Sequence, residues 1–371
     1  MKNILYIFAL VMVGLMLSGW GSKGHKKISQ NMAPCLPAEM SFLSPGWTNY
    51  VGSHASDADY RKDQDPDESP RHYLDIDNYP VFLENGFIPH YYDTVVMQFG
   101  YNFVIDQGTL PWSTLITFDS LKSCFQRGDW NRSAFFAADL GHYIGDGHMP
   151  LHITRNYNGQ YTGQTNIHSR YESTMIGKYE NQLVYPADTA VYIDNVREFI
   201  FNYIYEDYKY VDSVLLADSY ATVLTGSTSS TAYYQALWEK SGAFTKLLMQ
   251  RASGRLADLI YTAWVQAGSP MMYPNAVAEL ESPDEPRLLQ LFPNPAGQKI
   301  NVPVVVPGHD VLVTIKIYNN AGLLVESLPA RLLSEGYQKL EVDISNQPQG
   351  IYYCLMQTAQ TSVAQKFIVS R

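Results

Sequence analysis

The feature that most restricts what this chain can fold into is a change in the period of its apolar residues. From Trp20 to about Gly268 they recur mostly at helical spacing. The clearest run, Thr231 to Gln266, places Phe244, Leu248, Ala252, Leu256, Ile260 and Trp264 at i, i+4. Asp129 reads as the cap of a further helix through Ala134, Phe135, Ala138, Asp139 and His142, and 188–210 as an aromatic-rich helical core stretch. After residue 286 the period drops to two. Lys299-Ile-Asn-Val, Val311-Leu-Val-Thr-Ile-Lys-Ile-Tyr, Gln338-Lys-Leu-Glu-Val and Gly350-Ile-Tyr-Tyr-Cys-Leu read as short strands separated by turns. Residues 269–286 hold four prolines and several acids with no periodicity, which is linker chemistry. The expectation is a mostly α-helical domain over 20–268, a linker over 269–286, and a small all-β sandwich over 287–371.

The first nineteen residues read as an export signal. Lys2 supplies the positive end, and Ile4 to Leu17 is an apolar run of 14 residues, short for a membrane span. Small residues follow at Ser18 and Gly19, so cleavage after Gly19 would make Trp20 the first residue of the mature chain.

Composition narrows the function. The apolar fraction of 46% supports a globular core, and the net charge of −10 argues against a nonspecific, charge-driven nucleic-acid binder. It leaves room for an enzyme acting on phosphates, because bound cations neutralise nearby carboxylates. The three cysteines, Cys35, Cys124 and Cys354, form no CxxC pair, which argues against a thiolate zinc site; Cys35 and Cys124 are available for a disulfide after export.

The strongest chemical signal is His142-Tyr-Ile-Gly-Asp146-Gly-His148-Met-Pro-Leu-His152. His142 and Asp146 are four apart and project from one helical face, while Pro150 ends the helix and lets His152 turn aside. Imidazole and carboxylate are the ligands zinc takes when cysteine is absent. His168 and Glu172 repeat the four-residue spacing. Upstream, Asp57-Ala-Asp59-Tyr-Arg61 and Arg71-His72-Tyr-Leu-Asp75 bracket a polar loop, and Trp20-Gly-Ser-Lys-Gly-His25 puts an imidazole five residues after the expected new N-terminus.

Together these pieces resemble the superfamily that joins the fungal single-strand-specific zinc nucleases with the bacterial zinc-dependent phospholipases C. The matching segments are Trp20-Gly-x-x-Gly-His25, Asp57, His72-Tyr-Leu-Asp75, His142-x3-Asp146-x-His148-x-Pro-Leu-His152, Asn166-Ile-His168-x3-Glu172 and Gly254-Arg-Leu-Ala257. The resemblance implies a mostly helical domain with three zinc ions. Asp57, His72, His142 and Asp146 would hold the first zinc, and His152, His168 and Glu172 the second. Asp146, His25 and the free amino group and carbonyl of Trp20 would hold the third. Asp59 competes with Asp57 for the loop carboxylate; the fifteen-residue step to His72 favours Asp57. Asp57 would also orient an attacking water, Arg61 would neutralise phosphoryl charge, and Tyr73 and Asp75 would contact the substrate.

The substrate signals are mixed. The short Trp20-to-His25 spacing and the His148-Met-Pro-Leu-His152 segment resemble the nuclease branch, whereas Glu172 as a zinc carboxylate resembles the phospholipase branch. A single-strand-preferring endonuclease acting on DNA and RNA and releasing 5′-phosphates is the leading expectation. A phospholipase C acting on phospholipid head groups is the alternative. Residues 291–371 resemble the C-terminal sorting domain of type IX secretion substrates through Leu291-Phe-Pro-Asn-Pro295, Ile317-Tyr-Asn-Asn-Ala-Gly322, Val342-Asp-Ile-Ser345, Pro348-Gln-Gly350-Ile-Tyr352 and Lys366-Phe-Ile. That implies passage through the type IX secretion machinery to the exterior or the cell surface, with no obligate protein partner.

Overall fold

The computed structural model describes residues 20–43, 45–271, 285–307, 310–334 and 336–370. The expected signal peptide, 1–19, and most of the expected linker, 272–284, lie outside the described residues.

The main helices are α1 (Gly21–Met32), α2 (Pro45–Ser53), α3 (Asp57–Arg61), α4 (Leu110–Arg127), α5 (Trp130–Gly147), α6 (Val196–Tyr208), α7 (Val211–Thr225) and α8 (Thr231–Gln266). α8 has the bounds its periodicity predicts, and the Ser230 side chain caps it by accepting from the Tyr233 N–H at 3.1 Å. Asp129 caps α5 in the same way, accepting from Arg132 N–H at 3.2 Å. The stretch 188–210 is shorter as a helix than predicted. α6 starts only at Val196, capped by Asn195, because the preceding backbone pairs elsewhere: Ala190 N–H donates to Cys35 O and Val191 N–H to the Asp258 carboxylate.

α1, α5 and α8 form the centre of the helical part. Ile28, Leu140, Ile144, Leu256 and Ile260 are fully buried there, and Ser253 Oγ on α8 donates to Ile28 O at 2.9 Å. Trp47 on α2 locks onto α5 through its indole N–H, which donates to Ser133 Oγ at 2.9 Å. All three cysteines are free thiols.

The β part contains β1 (Arg287–Leu288), β2 (Lys299–Val306), β3 (Val311–Asn319), β4 (Leu324–Ser327), β5 (Arg331–Leu333), β6 (Gly336–Asp343), β7 (Gly350–Gln357) and β8 (Ser362–Val369). β1, β2 and β6 make one antiparallel sheet; β4, β3, β7 and β8 make the other, with β5 also paired to β3. The register sets Ile300 opposite Val342, Val302 opposite Leu340 and Ile317 opposite Cys354, so alternate residues fill the core between the sheets. The expected architecture, mostly helical and then a small all-β sandwich, is the one observed. The β part meets the helical part at α3, where Arg287 Nη2 lies 3.1 Å from Asp57 Oδ1 and Tyr337 stacks on Tyr60 at 5.3 Å.

Candidate metal centre

α5 carries His142 and Asp146 into the centre of the helical part, where both are fully buried. Asp146 sits among four imidazoles. Its Oδ2 is 3.0 Å from His72 Nδ1 and 3.3 Å from His142 Nε2, and its Oδ1 is 3.5 Å from His25 Nε2 and 3.4 Å from His152 Nδ1. The i, i+4 spacing brings His142 and Asp146 together locally. The turn after the helix returns His152, and the chain must bring His25 and His72 from distant segments.

Three groups of ligand-type atoms result, each lying within 4.8 Å: His25, Asp59 and His142; His72, His142 and Asp146; His152, His168 and Glu172. Each imidazole of the last two is oriented by its other nitrogen. His142 Nδ1 contacts Ala55 O at 2.7 Å, His152 Nδ1 contacts His72 O at 2.6 Å, and His168 Nδ1 contacts Tyr157 O at 3.0 Å. With Nδ1–H donating to those carbonyls, each Nε2 lone pair faces the cluster. His72 is turned the other way, with Nε2 toward Glu68 Oε1 at 3.3 Å and Nδ1 toward Asp146. The turn Pro150–His152 after α5 swings His152 out of the helical stripe, and His168 Nε2 meets Glu172 Oε2 at 3.0 Å. His148, in the same motif, points away: its Nδ1 contacts Ile144 O and its ring stacks on Tyr203.

His25 reaches the cluster from α1 and stacks on His142 with ring centroids 3.9 Å apart. Gly145 makes room for it, since a Cβ there would lie 2.8 Å from His25 Nδ1. Trp20, at the start of α1, is fully buried beside Tyr171. A Cβ on Gly21 would lie 3.5 Å from Glu172 O, so the backbone next to Trp20 runs against the segment that bears Glu172.

The loop carboxylate at the cluster is Asp59, not the favoured Asp57. Asp59 Oδ1 is 3.5 Å from His142 Nε2 and 3.6 Å from His72 Nδ1, whereas Asp57 pairs with His54 at 2.6 Å and with Arg287. The reason is helical geometry. Residues two apart on α3 are turned about 200° from each other, so only one can face the cluster. Residues three apart share a face, which puts Lys62 beside Asp59, its Nζ donating to Asp59 Oδ1 at 2.7 Å. Arg61 also departs from expectation. Its guanidinium is spent on a bidentate pair with Asp139, at 3.0 and 2.9 Å, and on Glu68, instead of facing a phosphoryl group.

A cavity of about 300 Å³ opens onto the cluster, bordered by His72, His152 and His168 and walled by Lys62, Tyr73, Asp75 and Tyr157. Tyr73 and Asp75, the expected substrate contacts, both line this cavity. The loop before α4 holds their segment: Asp75 N–H donates to Gln107 O at 2.7 Å and Leu110 N–H to Tyr73 O at 3.3 Å. Gly108, at φ +89°, is required there because a Cβ would lie 2.1 Å from Tyr73 O. Glu68, Asp139 and Lys62 were not singled out in the sequence. The available signals are spacings, Glu68 four before His72 and Lys62 three after Asp59.

Electrostatics concentrates positive charge at the centre. Against the desolvation of its buried site, Asp146 and Asp59 raise His142 to about 10. Burial, reinforced by His142, lowers His25 to about 4, and burial raises Glu172 to about 8. Despite its own desolvation, Asp146 is held well below the usual carboxylate range by His142 and His152. The carboxylates therefore favour a cation beside His142, carried by a proton or by a metal ion. Both ring nitrogens of His25, Asp59 Oδ2 and Asp146 Oδ1 are buried without a well-formed hydrogen bond among the described residues. Such groups are costly unless a ligand satisfies them, and an all N/O set suits zinc. The residues fit metal binding.

Residues 290–370 match the family described as a secretion system C-terminal sorting domain. No curated protein sequence matches the chain. Among solved structures, the chain is similar to the alpha-toxin of Clostridium perfringens from avian strain SWCP, with 10% identity, a TM-score of 0.41, and coverage of 95% of this chain and 98% of that one. It is also similar to the alpha toxin from Clostridium absonum, with 12% identity, a TM-score of 0.36 and the same coverage. At these scores the overlap fixes neither the fold nor the activity of this chain. The sorting domain does fix its address: the protein is exported by the type IX route, to the exterior or the cell surface.

Proposed function

We propose that the mature chain is a secreted hydrolase of phosphodiester bonds that works with three zinc ions, and that its substrate is single-stranded DNA or RNA, cut internally to leave 5′-phosphates. The observation that supports this most is Asp146 set among four imidazoles beside a cavity lined by Lys62, Tyr73 and Asp75. In this reading the mature chain begins at Trp20 after loss of 1–19, its catalytic domain is 20–268, and 269–286 links it to the sorting domain at 287–371.

Asp59, His72, His142 and Asp146 would hold one zinc, and His152, His168 and Glu172 a second. Asp146, His25 and the amino group and carbonyl of Trp20 would hold the third. Zinc in such sites lowers the pKa of a bound water toward neutrality and stabilises charge on phosphoryl oxygens. The protein's own residues do the rest. Asp59, beside His72 and His142, would accept a hydrogen bond from the attacking water and orient it. Lys62 supplies a fixed positive charge beside the phosphoryl group, the role expected of Arg61. Arg61 instead braces Glu68, which orients His72. The Tyr73 ring offers a base a face to stack on, and Asp75 accepts from an exocyclic amino group.

The same walls give the alternative reading a footing. Tyr73 and Tyr157 with Asp75 and Asp106 also suit a quaternary ammonium head group, as a phospholipase C substrate would present. Protein starting at Trp20, assayed in parallel on single-stranded DNA, RNA and phosphatidylcholine, separates them. Cleavage of the nucleic acids with 5′-phosphate ends supports the nuclease reading. Turnover of phosphatidylcholine alone overturns it in favour of the lipase, and no turnover of any of the three by zinc-loaded protein overturns both.

A further inference from the structure

α1 has two working faces. His25 is buried toward the cluster, while Lys23, Lys26 and Lys27, related by i, i+3 and i, i+4, share a different face. That face lines a cleft of about 380 Å³ whose far wall is the β part, at Val305, Val306, Pro307 and Gly336. Arg287 enters the cleft from β1, and Ser22, Ser53 and Ser56 add hydroxyls. Four cationic side chains therefore converge in a chain whose net charge is −10. One acidic residue, Glu180, borders the cleft, and it is 3.1 Å from Lys23.

Arg287 is the informative member. Its side chain is 8% exposed, and its Nη2 meets Asp57 Oδ1 at 3.1 Å. Its Nη1 is buried with no hydrogen-bond partner among the described residues. A buried guanidinium N–H left unmatched is costly, and the fork of Arg suits an oxyanion with several acceptor oxygens. A carboxylate would be satisfied by the fork alone. Lysines on the opposite wall and serine hydroxyls along the lining suit a tetrahedral group with acceptors on several sides.

We propose that this cleft is a second anion site, separate from the metal cluster, that binds a phosphoryl group, as inorganic phosphate or as the phosphate of a small monoester. Its occupant touches both α1 and the β part and so ties the sorting domain to the helical part. Zinc-loaded protein that starts at Trp20 and keeps the β part, titrated calorimetrically with inorganic phosphate, tests this, with parallel titrations of a nucleoside 5′-monophosphate and of phosphocholine. Two classes of site are expected in the wild type. One disappears in His152→Ala. The other weakens by at least about tenfold in Lys26→Ala/Lys27→Ala, consistent with loss of charge-assisted hydrogen bonds, while turnover at low phosphate is unchanged. Arg287→Lys, which keeps the charge and loses the fork, weakens the same site with no change at the metal cluster. Tighter binding of inorganic phosphate than of either ester assigns the cleft to the free ion, and the reverse assigns it to an ester. A single class of site abolished by His152→Ala, or a second class unaffected by both the lysine and Arg287 changes, overturns the proposal.

Discussion

The helical part and the β part are both tightly packed, but they are packed from different materials. The β core is built from Ile300, Val302, Val304, Ile315, Ile317, Val342, Met356 and Phe367, and its one buried polar or charged side chain among the described residues is Arg287, at the edge. The helical part buries His25, His72, His142, His152, His168, Asp146 and Glu172 in three groups of ligand-type atoms. Burying ionisable groups costs several kcal/mol each unless partners or a metal offset it. The difference teaches where chemistry resides: the helical part carries buried charge that a metal would offset, whereas the β core is filled almost wholly by apolar side chains.

Metal removal is the most direct way to break that contrast. Chelation is expected to abolish turnover and lower the melting temperature of the helical part, because the orphaned donors lose their partner. The β part should melt as before. Elemental analysis of active protein should return about three zinc ions per chain, as the proposed ligand sets require; one or none would remove the trinuclear reading. His142→Ala, which deletes a member of two of the three groups, should cost more than the 10–100-fold typical of residues one shell out, with a fall in bound zinc. Phe367→Ala is its counterpart in the β part: about 3–5 kcal/mol of local stability lost, with zinc content and turnover unchanged.

A smaller but more pointed effect is expected at the N-terminus. If the Trp20 amino group is a ligand, one added residue turns it into an amide, which is a poor donor to zinc. Protein with a short extension before Trp20 should bind one zinc fewer and lose activity by about 100-fold or more, while folding around His152 and His168 persists. Equal zinc content and equal rates in both preparations would leave Trp20 as a packing residue against Tyr171.

The two carboxylates of α3 refine the comparison, since one faces the cluster and the other the β part. Asp59→Asn should reduce kcat by at least about tenfold and weaken zinc binding, because it removes the carboxylate beside His72 and His142. Asp57→Asn should leave kcat nearly intact and act on the contact with Arg287. The opposite ranking, measured by steady-state kinetics and zinc content, would return Asp57 to the cluster.

How much of this was legible in the sequence follows from how each feature is encoded. The bounds of α8 and the His142/Asp146 and His168/Glu172 pairs are local periodicities, so they can be read directly. β2, β3, β6 and β7 alternate strongly enough to be found, whereas β4, β5 and β8 do not: they are short or have one largely exposed face. The choice between Asp57 and Asp59 was hidden because sequence spacing to His72 does not reveal where α3 begins, and that start sets which residue faces inward. That Lys62 pairs with Asp59 while Arg61 turns to Asp139 was hidden for the same reason. Asp139, 78 residues away, claims the Arg61 guanidinium, and no local pattern announces such a partner.

The smallest expected effect is a pH dependence at Asp75, on the cavity wall. Burial, with Asp77 nearby, raises its carboxyl to about 7. Below that value the group is mostly protonated and offers an O–H; above it, a carboxylate that accepts from an amino group or attracts a cationic head. Binding that uses the charged form should therefore strengthen as pH rises through about 7, so KM should fall while kcat, which depends on the cluster, follows its own profile. The low end for a hydrogen bond to a charged group, about 1.5 kcal/mol, places the change in KM at roughly tenfold. Asp75→Asn should remove the inflection and hold KM near its low-pH value at every pH. The measurement is KM against pH for wild type and variant on the best substrate found. An inflection near 7 that survives in Asp75→Asn would mean that another group on the cavity wall governs recognition.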